Sequence, residues 1–494
     1  MVAISQNPAL YQINARTRLN GLSRDLHRAA TLDDLDGAEL DRIAAQGFEL
    51  VYLLGVWKTG EAGRAVSREN PGWREEFLRA LPDLTEEDIC GSCFAVTGYE
   101  VAPALGGDDA LARLRTRLHQ KGLGLILDFV PNHTAPDHPW VIEHPDYYVS
   151  GTQADLARQP QNYLRMADGS VLAYGRDPYF DGWPDTLQLD YANPALRTAM
   201  LSELAHVAER CDGVRCDMAM LILPDVFEWT WGKTPEPFWP DAVARIKGEH
   251  PGFLFMAEVY WGREWDLQQQ GFDYTYDKRL YDRLVEGDAR KVRDHLGADG
   301  EFQQRSARFL ENHDEPRAAA TFAPDTHRAA AVVTFLCPGL RFFHEGQSEG
   351  AKVRLPMHLC RRPIEPVDEE LSGFYRSLLA CLRNRAVRQG EWQLLEARPA
   401  WDGNWTGDCF VVQSWEDGEG DRLVAAVNFA DHQSQCYVSL PFADLAGRRW
   451  VLADLLSETS YEREGDMLAT RGLYLDMPAW GYHVFRLARG AGRA

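Results

Sequence analysis

The sequence has no apolar run long enough to cross a membrane: its best stretch, AAAVVTFLCPGL, is about half of the roughly 20 residues a span requires. It also has no Lys/Arg cluster. With 52 basic against 74 acidic residues the formal net charge is −22, whereas a nucleic-acid binder needs a basic face. Neither nucleic acid nor membrane is therefore an expected partner, and the acidity suits a soluble protein with neutral or cationic ligands. The N-terminal stretch MVAISQNPALYQINAR has no charged region leading into an apolar core, so it is not read as a secretory signal. The nine cysteines are an odd number without regular spacing; Cys90 and Cys93 form a CGSC, and no second pair lies nearby to complete a zinc site. Free thiols in a reducing compartment are expected, which places the protein in the cytoplasm. There is no internal repeat, and low complexity is confined to the RGAGRA tail.

What is present is globular: 45% hydrophobic and 26% charged over 494 residues. That length exceeds one ordinary core unless an α/β barrel is involved. ALYQINA, ELVYLLGV, LGLILDFV, DGVRCDM, GFLFMAEV, FDYTYD, ARFLENHD and GLRFFHEG are apolar runs of the kind that form parallel strands covered on both faces. Helix-period segments alternate with them, among them DDALARLRTRLHQKG and NPALRTAMLSELAHVAERC, the second opening on an Asn-Pro start signal. The pattern predicts a (β/α)8 barrel of the TIM type. Two connections, 56–107 and 134–186, are too long for a plain barrel and follow strand C-termini, the face where barrel enzymes carry their sites. From about residue 390 short alternating strands separated by turns predict an antiparallel β-sandwich. The expected division is a first barrel part at 1–133, an inserted subdomain at 134–186, a second barrel part at 187–388, and a C-terminal β-domain at 389–494.

Charge sits where these strands end. In GVRCDMAM, Arg215 and Asp217 lie two residues apart inside an apolar run, and burying charge costs several kcal/mol unless it is paired or used. Asp128 ends the third strand, Glu258 the fifth, and His313 and Asp314 the seventh. One strand-end Asp alone reads as a helix cap. A set spread over four strands that share one mouth reads as a site. Paired carboxylates serve glycoside hydrolysis, in which one attacks the anomeric carbon and the other gives and then takes a proton. Asp217 suits the nucleophile, because Arg215 on the same strand face should lower its pKa. Glu258, with apolar sequence neighbours and no adjacent cation, suits the general acid. Asp314 would be the third carboxylate, gripping sugar hydroxyls in the transition state.

The segments DFVPNH, GVRCDMAM, AEVYW and ENHDEP, in this order and at these strand ends, resemble the four short sequence regions of the α-amylase superfamily, glycoside hydrolase family 13. The resemblance extends over the barrel, the inserted third loop and the C-terminal β-domain. It implies a retaining glycosidase. By position, Asp217 matches the nucleophile, Glu258 the acid/base, Asp314 the transition-state stabiliser, and Arg215 the arginine beside the nucleophile. His133 and His313 match histidines that hydrogen-bond sugar hydroxyls, and Asp128 the supporting aspartate. Tyr99 in TGYEVAPALGG resembles the tyrosine that stacks under the sugar ring, and LQLDYANP, with Gln188 and Asp190, a further region before the fourth strand.

The sequence departs from the family at Met220 and Leu221, where true α-amylases carry Lys then His after the nucleophile. Loss of that pair argues against endo-cleavage of long starch and against the usual calcium site, from which Asn132 survives. No cofactor is expected to be required. The expectation is an exo-acting enzyme on short α-glucosides or malto-oligosaccharides, with the 56–107 loop closing one end of the pocket. Trp140, Tyr179, Trp183 and Trp261 lie in or near the site loops, where aromatic faces suit pyranose rings. Two alternatives stay open: a glucosyl or maltosyl transferase or phosphorylase using the same site, and a non-catalytic sugar-binding or scaffold barrel. The sequence does not set the sugar, the linkage or the oligomeric state.

Overall fold

A computed structural model describes residues 2–490; the last four residues of the RGAGRA tail lie outside the described residues. Eight parallel strands close into a barrel: β1 (Ala9–Asn14), β2 (Leu50–Leu54), β3 (Gly124–Phe129), β4 (Gly213–Cys216), β5 (Leu254–Ala257), β6 (Tyr274–Tyr276), β7 (Ser306–Arg308) and β8 (Leu340–His344). Each strand pairs with its sequence neighbours and β8 closes on β1. β2 and β3 are buried at every position, as strands covered on both faces must be. Gly213 opens β4 where a Cβ would stand 2.6 Å from the Leu254 carbonyl oxygen, so a side chain there would push β5 away.

β7 is shorter than ARFLENHD suggests. Past Arg308 the chain leaves the ladder, because the Asn312 side-chain oxygen accepts from the backbone N–H groups of Asp314 and Glu315, both at 2.9 Å. Such a side-chain turn competes with strand pairing. The turn delivers His313 and Asp314 to the mouth.

Both long connections are folded units. The one after β2 holds a hairpin of Trp57–Thr59 with Val96–Val101 and two helices, Glu61–Glu69 and Pro71–Ala80. The one after β3 holds helices Trp140–Glu143 and Gln153–Arg158 and a hairpin of Tyr163–Arg165 with Val171–Ala173. It is stitched at its base where His133–Thr134 pairs antiparallel with Leu187–Gln188. The C-terminal part is a six-stranded antiparallel sheet facing a three-stranded one, with Phe410, Val412, Trp450, Leu475 and Phe485 among the side chains between them. Trp415 joins it to the barrel, donating its indole N–H to the Leu336 carbonyl at 2.8 Å. All nine cysteines are unpaired. Among the described residues no helix is long and apolar enough to cross a membrane.

Candidate active site

The β3–β4–β5 register places Arg215 beside Asp128 on one side and Met256 on the other. Arg215 is fully buried, and its guanidinium is the hub of the mouth. Nη1 donates to Asp217 Oδ1 at 2.6 Å and reaches Asp128 Oδ1 at 3.4 Å, while Nη2 donates to Glu258 Oε2 at 2.7 Å. The ring of Phe94 lies 4.9 Å from the guanidinium carbon and that of Tyr276 at 6.0 Å. Glu258 thus does have a cation beside it. Sequence adjacency hid this, because the contact crosses between strands.

Glu258 is held from three directions. Besides Arg215, the Met218 N–H donates to Oε2 at 2.8 Å and the Tyr260 hydroxyl to Oε1 at 2.9 Å. Met218 adopts a left-handed backbone, φ 41, which a non-glycine residue rarely occupies. That turn aims its N–H back across the mouth at the carboxylate.

Burial sets the acidities here. It pushes Glu258 up to about 7, opposed by Arg215 and reinforced by Asp217 and Asp314. It pushes Asp128 up to about 7 as well, opposed by Arg215 and by the hydrogen bond from Tyr52. Asp217 is also raised by burial, with Arg215 opposing. The expectation that Arg215 would hold Asp217 low is therefore reversed in sign: desolvation outweighs one guanidinium shared among three carboxylates.

His313 Nδ1 lies 2.9 Å from Gln12 Nε2 and its Nε2 3.0 Å from Asp314 Oδ2. His133 packs edge-on to Trp183, with ring centroids 5.3 Å apart. Burial lowers His133 to about 4 and His313 to about 3, so both are neutral imidazoles at neutral pH. Asp314 is the most open of the acids, its side chain 29% exposed against 6% for Asp217 and 4% for Glu258.

Tyr99 is packed against the base of the mouth. Its ring packs between Trp57 and Phe129, and its hydroxyl both accepts from the Val130 N–H at 2.9 Å and donates to the Val130 carbonyl at 3.1 Å. Phe129 stacks on one face of the ring, and the residue is buried with its hydroxyl engaged by the backbone. The aromatic at the hub is Phe94, whose ring is 5.4 Å from His313. Other residues missed in the sequence support the hub from behind: Tyr52 donates to Asp128 Oδ1 at 2.6 Å, and the Trp57 indole N–H to the Asp128 carbonyl at 2.7 Å. Gln12 and Tyr52 were legible as polar atoms inside apolar strands; Phe94 carried no such signal.

Met220 and Leu221 are buried in a 3-10 turn, Ala219–Ile222. Asn132 exchanges amide hydrogen bonds with Gln188, giving at 3.2 Å and receiving at 3.0 Å. Its carbonyl oxygen is thereby engaged, and among the described residues no group of three or more His, Cys, Asp or Glu could hold a metal ion. Asp190 is paired with Lys233. Tyr179 meets Trp229 at 5.1 Å and Trp261 at 5.0 Å, an exposed aromatic group beside the Glu258 loop. Trp140 packs on Tyr147 instead, and Trp73 on His358.

Residues 95–355 match the family model described as "Alpha amylase, catalytic domain". An α-amylase, MalA, of Haloarcula japonica is 24% identical over 72% of this chain and 49% of its own length. An α-1,4-glucan:maltose-1-phosphate maltosyltransferase of Burkholderia pseudomallei is 28% identical over 51% of this chain and 20% of its own length. The chain spans about half the length of the first of these relatives and about a fifth of the second. Among solved structures, a noncanonic maltogenic α-amylase, AmyB, from Thermotoga neapolitana superposes with a TM-score of 0.68 at 19% identity, covering 97% of this chain and 98% of its own, a likeness of fold.

Proposed function

Since the chain belongs to the α-amylase family, a family of glycoside hydrolases and transferases, we propose that it is a retaining α-glycoside hydrolase acting on short α-glucosides or malto-oligosaccharides. The observation that carries this reading is that Asp217 and Glu258 grip the two terminal nitrogens of one guanidinium. Two carboxylates so close suit the retaining arrangement, in which they stand about 5–5.5 Å apart; inversion needs a wider gap for water. Asp217 attacks the anomeric carbon and forms a glycosyl-enzyme. Glu258, protonated through burial, gives its proton to the leaving oxygen and then takes one from the incoming water. Arg215 keeps charge on Asp217 as that proton leaves. Asp314, His313 and His133 hold ring hydroxyls as donors and acceptors, with Phe94 as the apolar wall. The burial of Met220 and Leu221 favours a short substrate, since neither side chain is available beyond the cleaved bond.

Transfer to a sugar or to phosphate is the second reading. The similarity to a maltosyltransferase favours it, as does the exposed Tyr179–Trp229–Trp261 group, whose faces suit an acceptor sugar. A non-catalytic barrel has no call for three acids around one arginine.

The test is incubation with maltose, maltotriose, sucrose, trehalose, isomaltose and soluble starch, with and without phosphate, against Asp217→Asn, following products and their anomeric form. Free sugar released first as the α-anomer from a short substrate, and not by the variant, supports hydrolysis. Longer sugars or a sugar phosphate replace hydrolysis with transfer. An initial β-anomer, or equal turnover by Asp217→Asn, overturns the double displacement.

A further inference from the structure

The segment after β2 and the segment after β8 meet beside the mouth in a short antiparallel contact. Ile89 faces Leu359. Around them the Cys90 N–H donates to the His358 carbonyl at 2.8 Å, and the Cys360 N–H to the Asp88 carbonyl at 2.9 Å. Ile89 and Leu359 turn into a small apolar cluster with Phe77 and Leu81. Side chains alternate faces along an extended chain. Cys90 and Cys360, each one residue beyond the facing pair, therefore project together to the other side.

That side is roofed by α1 (Ala15–Leu26). Arg16 Nη1 lies 3.4 Å from Cys90 Sγ, and Asn20 Nδ2 lies 4.0 Å from Cys360 Sγ. Residues four apart on a helix are neighbours on one face, so one face of α1 touches both sulfurs. The Cys90 thiol donates to the His358 carbonyl at 3.3 Å and the Cys360 thiol to the Glu87 carbonyl at 3.4 Å, so each sulfur lies against the opposite segment. Arg16 is fixed in turn by the Gly91 carbonyl at 2.8 Å and the Thr59 hydroxyl at 3.1 Å. Arg361 clamps the contact through two bonds to Asp88, at 2.6 and 2.8 Å. Nothing in the proposed glycosidase chemistry uses this pair.

We propose that Cys90 and Cys360 form a peroxide-reactive thiol pair that closes to a disulfide across the two segments. The Cys90 thiolate attacks the peroxide oxygen, and O–O cleavage leaves a sulfenic acid at Cys90 and hydroxide, which takes up a proton. The Cys360 sulfur then attacks the Cys90 sulfur, expelling the hydroxyl, which leaves as water with the Cys360 proton. In sum, two thiols and one hydrogen peroxide give one disulfide and two waters. The neighbouring Cys360 and the Arg16 guanidinium bring the Cys90 thiol down to about 6 against the effect of burial, which suits it as the attacking sulfur. Cys360 is raised and keeps its proton until the second step. Cys93 completes CGSC in sequence but is buried away from water, and burial pushes its thiol up. The bond would tie the segment carrying Phe94 to the one carrying Arg354, whose Nη1 donates to the Asp314 carbonyl at 3.1 Å.

The experiment uses the full chain, reduced and freed of reductant, then treated with a small molar excess of hydrogen peroxide. Thiols are counted after denaturation, and an unreduced digest is mapped by mass spectrometry. The expected result is loss of two of the nine thiols, a Cys90–Cys360 crosslinked peptide, and recovery of both with dithiothreitol. Cys360→Ser should trap a dimedone-reactive sulfenic acid at Cys90. Arg16→Gln should slow alkylation of Cys90 at neutral pH by about 5- to 10-fold. Nine thiols surviving the peroxide, a crosslink to another cysteine, or Cys90 alkylated no faster than the rest would overturn the proposal. The wild-type crosslink map decides it even where a variant fails to fold, and none of these readouts depends on the enzyme's substrate.

Discussion

Arg215 and Arg308 are both fully buried, on β4 and β7 of the same barrel, yet the acids around them behave oppositely. Arg308 faces one carboxylate, Asp277, which also lies 2.8 Å from His295 Nε2 on the helix Ala289–Leu296. The remaining guanidinium N–H groups go to Gln303 and to the Pro338 carbonyl. Burial raises Asp277, but Arg308 and His295 overcome it and hold the carboxyl well below the usual range. Around Arg215 three carboxylates share one cation, and burial wins: Asp128 and Glu258 stand near 7. Burying an arginine is common to both places. What separates a structural ion pair from a proton-transfer site is how many acids each cation must serve.

The comparison breaks most directly at the two aspartates. Asp217→Asn should lower turnover by about 10⁴-fold with the fold retained, read as initial rates beside a thermal melt. Asp277→Asn should do the reverse, leaving turnover per folded molecule intact while costing about 3–5 kcal/mol in urea unfolding, since Arg308 loses its buried partner. Similar effects of the two on rate would erase the distinction.

Acid and base should pull the two networks in opposite directions. Asp277 is depressed in the folded state, so its stabilisation is present above its unfolded value and is lost as pH falls toward its folded one. Glu258 is raised, so the folded state binds a proton the unfolded chain releases, and stability falls as pH rises from about 4.5 to about 7. Glu258→Gln should abolish turnover yet be more stable than the wild type above pH 7, by roughly 1–3 kcal/mol, with no difference below pH 4. Unfolding measured at the two pH values checks this. In the wild type, kcat/KM should decline above about 7, where Glu258 loses its proton; a basic limb beyond pH 9 would contradict it.

The smallest contrast is between two aromatics. Phe94→Ala should raise KM or lower kcat about 10- to 100-fold by removing an apolar wall, an effect of about 1.4–2.7 kcal/mol. Tyr99→Phe should leave kinetics near wild type and cost about 1–2 kcal/mol of stability, because Val130 loses both hydrogen bonds.

Much of this was legible in the chain. The eight barrel strands, the folded insertion and the C-terminal sheets follow from continuous apolar runs, turn residues and period-2 alternation. Arg215 and Asp217 stood out because charge inside GVRCDMAM has to be paired or used. Strand β7 was overextended because the Asn312 turn that ends it is a side-chain event hidden in LENHDEP. The packing of Tyr99 was not legible, because a tyrosine between turns looks alike in sequence whether its hydroxyl meets water or Val130.

What the sequence determined by itself was therefore local and periodic: where strands run, where charge ends them, and that all the ends share one mouth. The tertiary structure decided everything carried by contact across strands. It made one guanidinium serve Asp217, Glu258 and Asp128, reversed the expected shift of Asp217, laid Phe94 against that guanidinium, and set Cys90 beside Cys360 instead of Cys93. The reason is physical. A residue's propensity acts on its neighbours in the chain, whereas desolvation and Coulomb energy act on neighbours in space, and only the closed barrel says who those are.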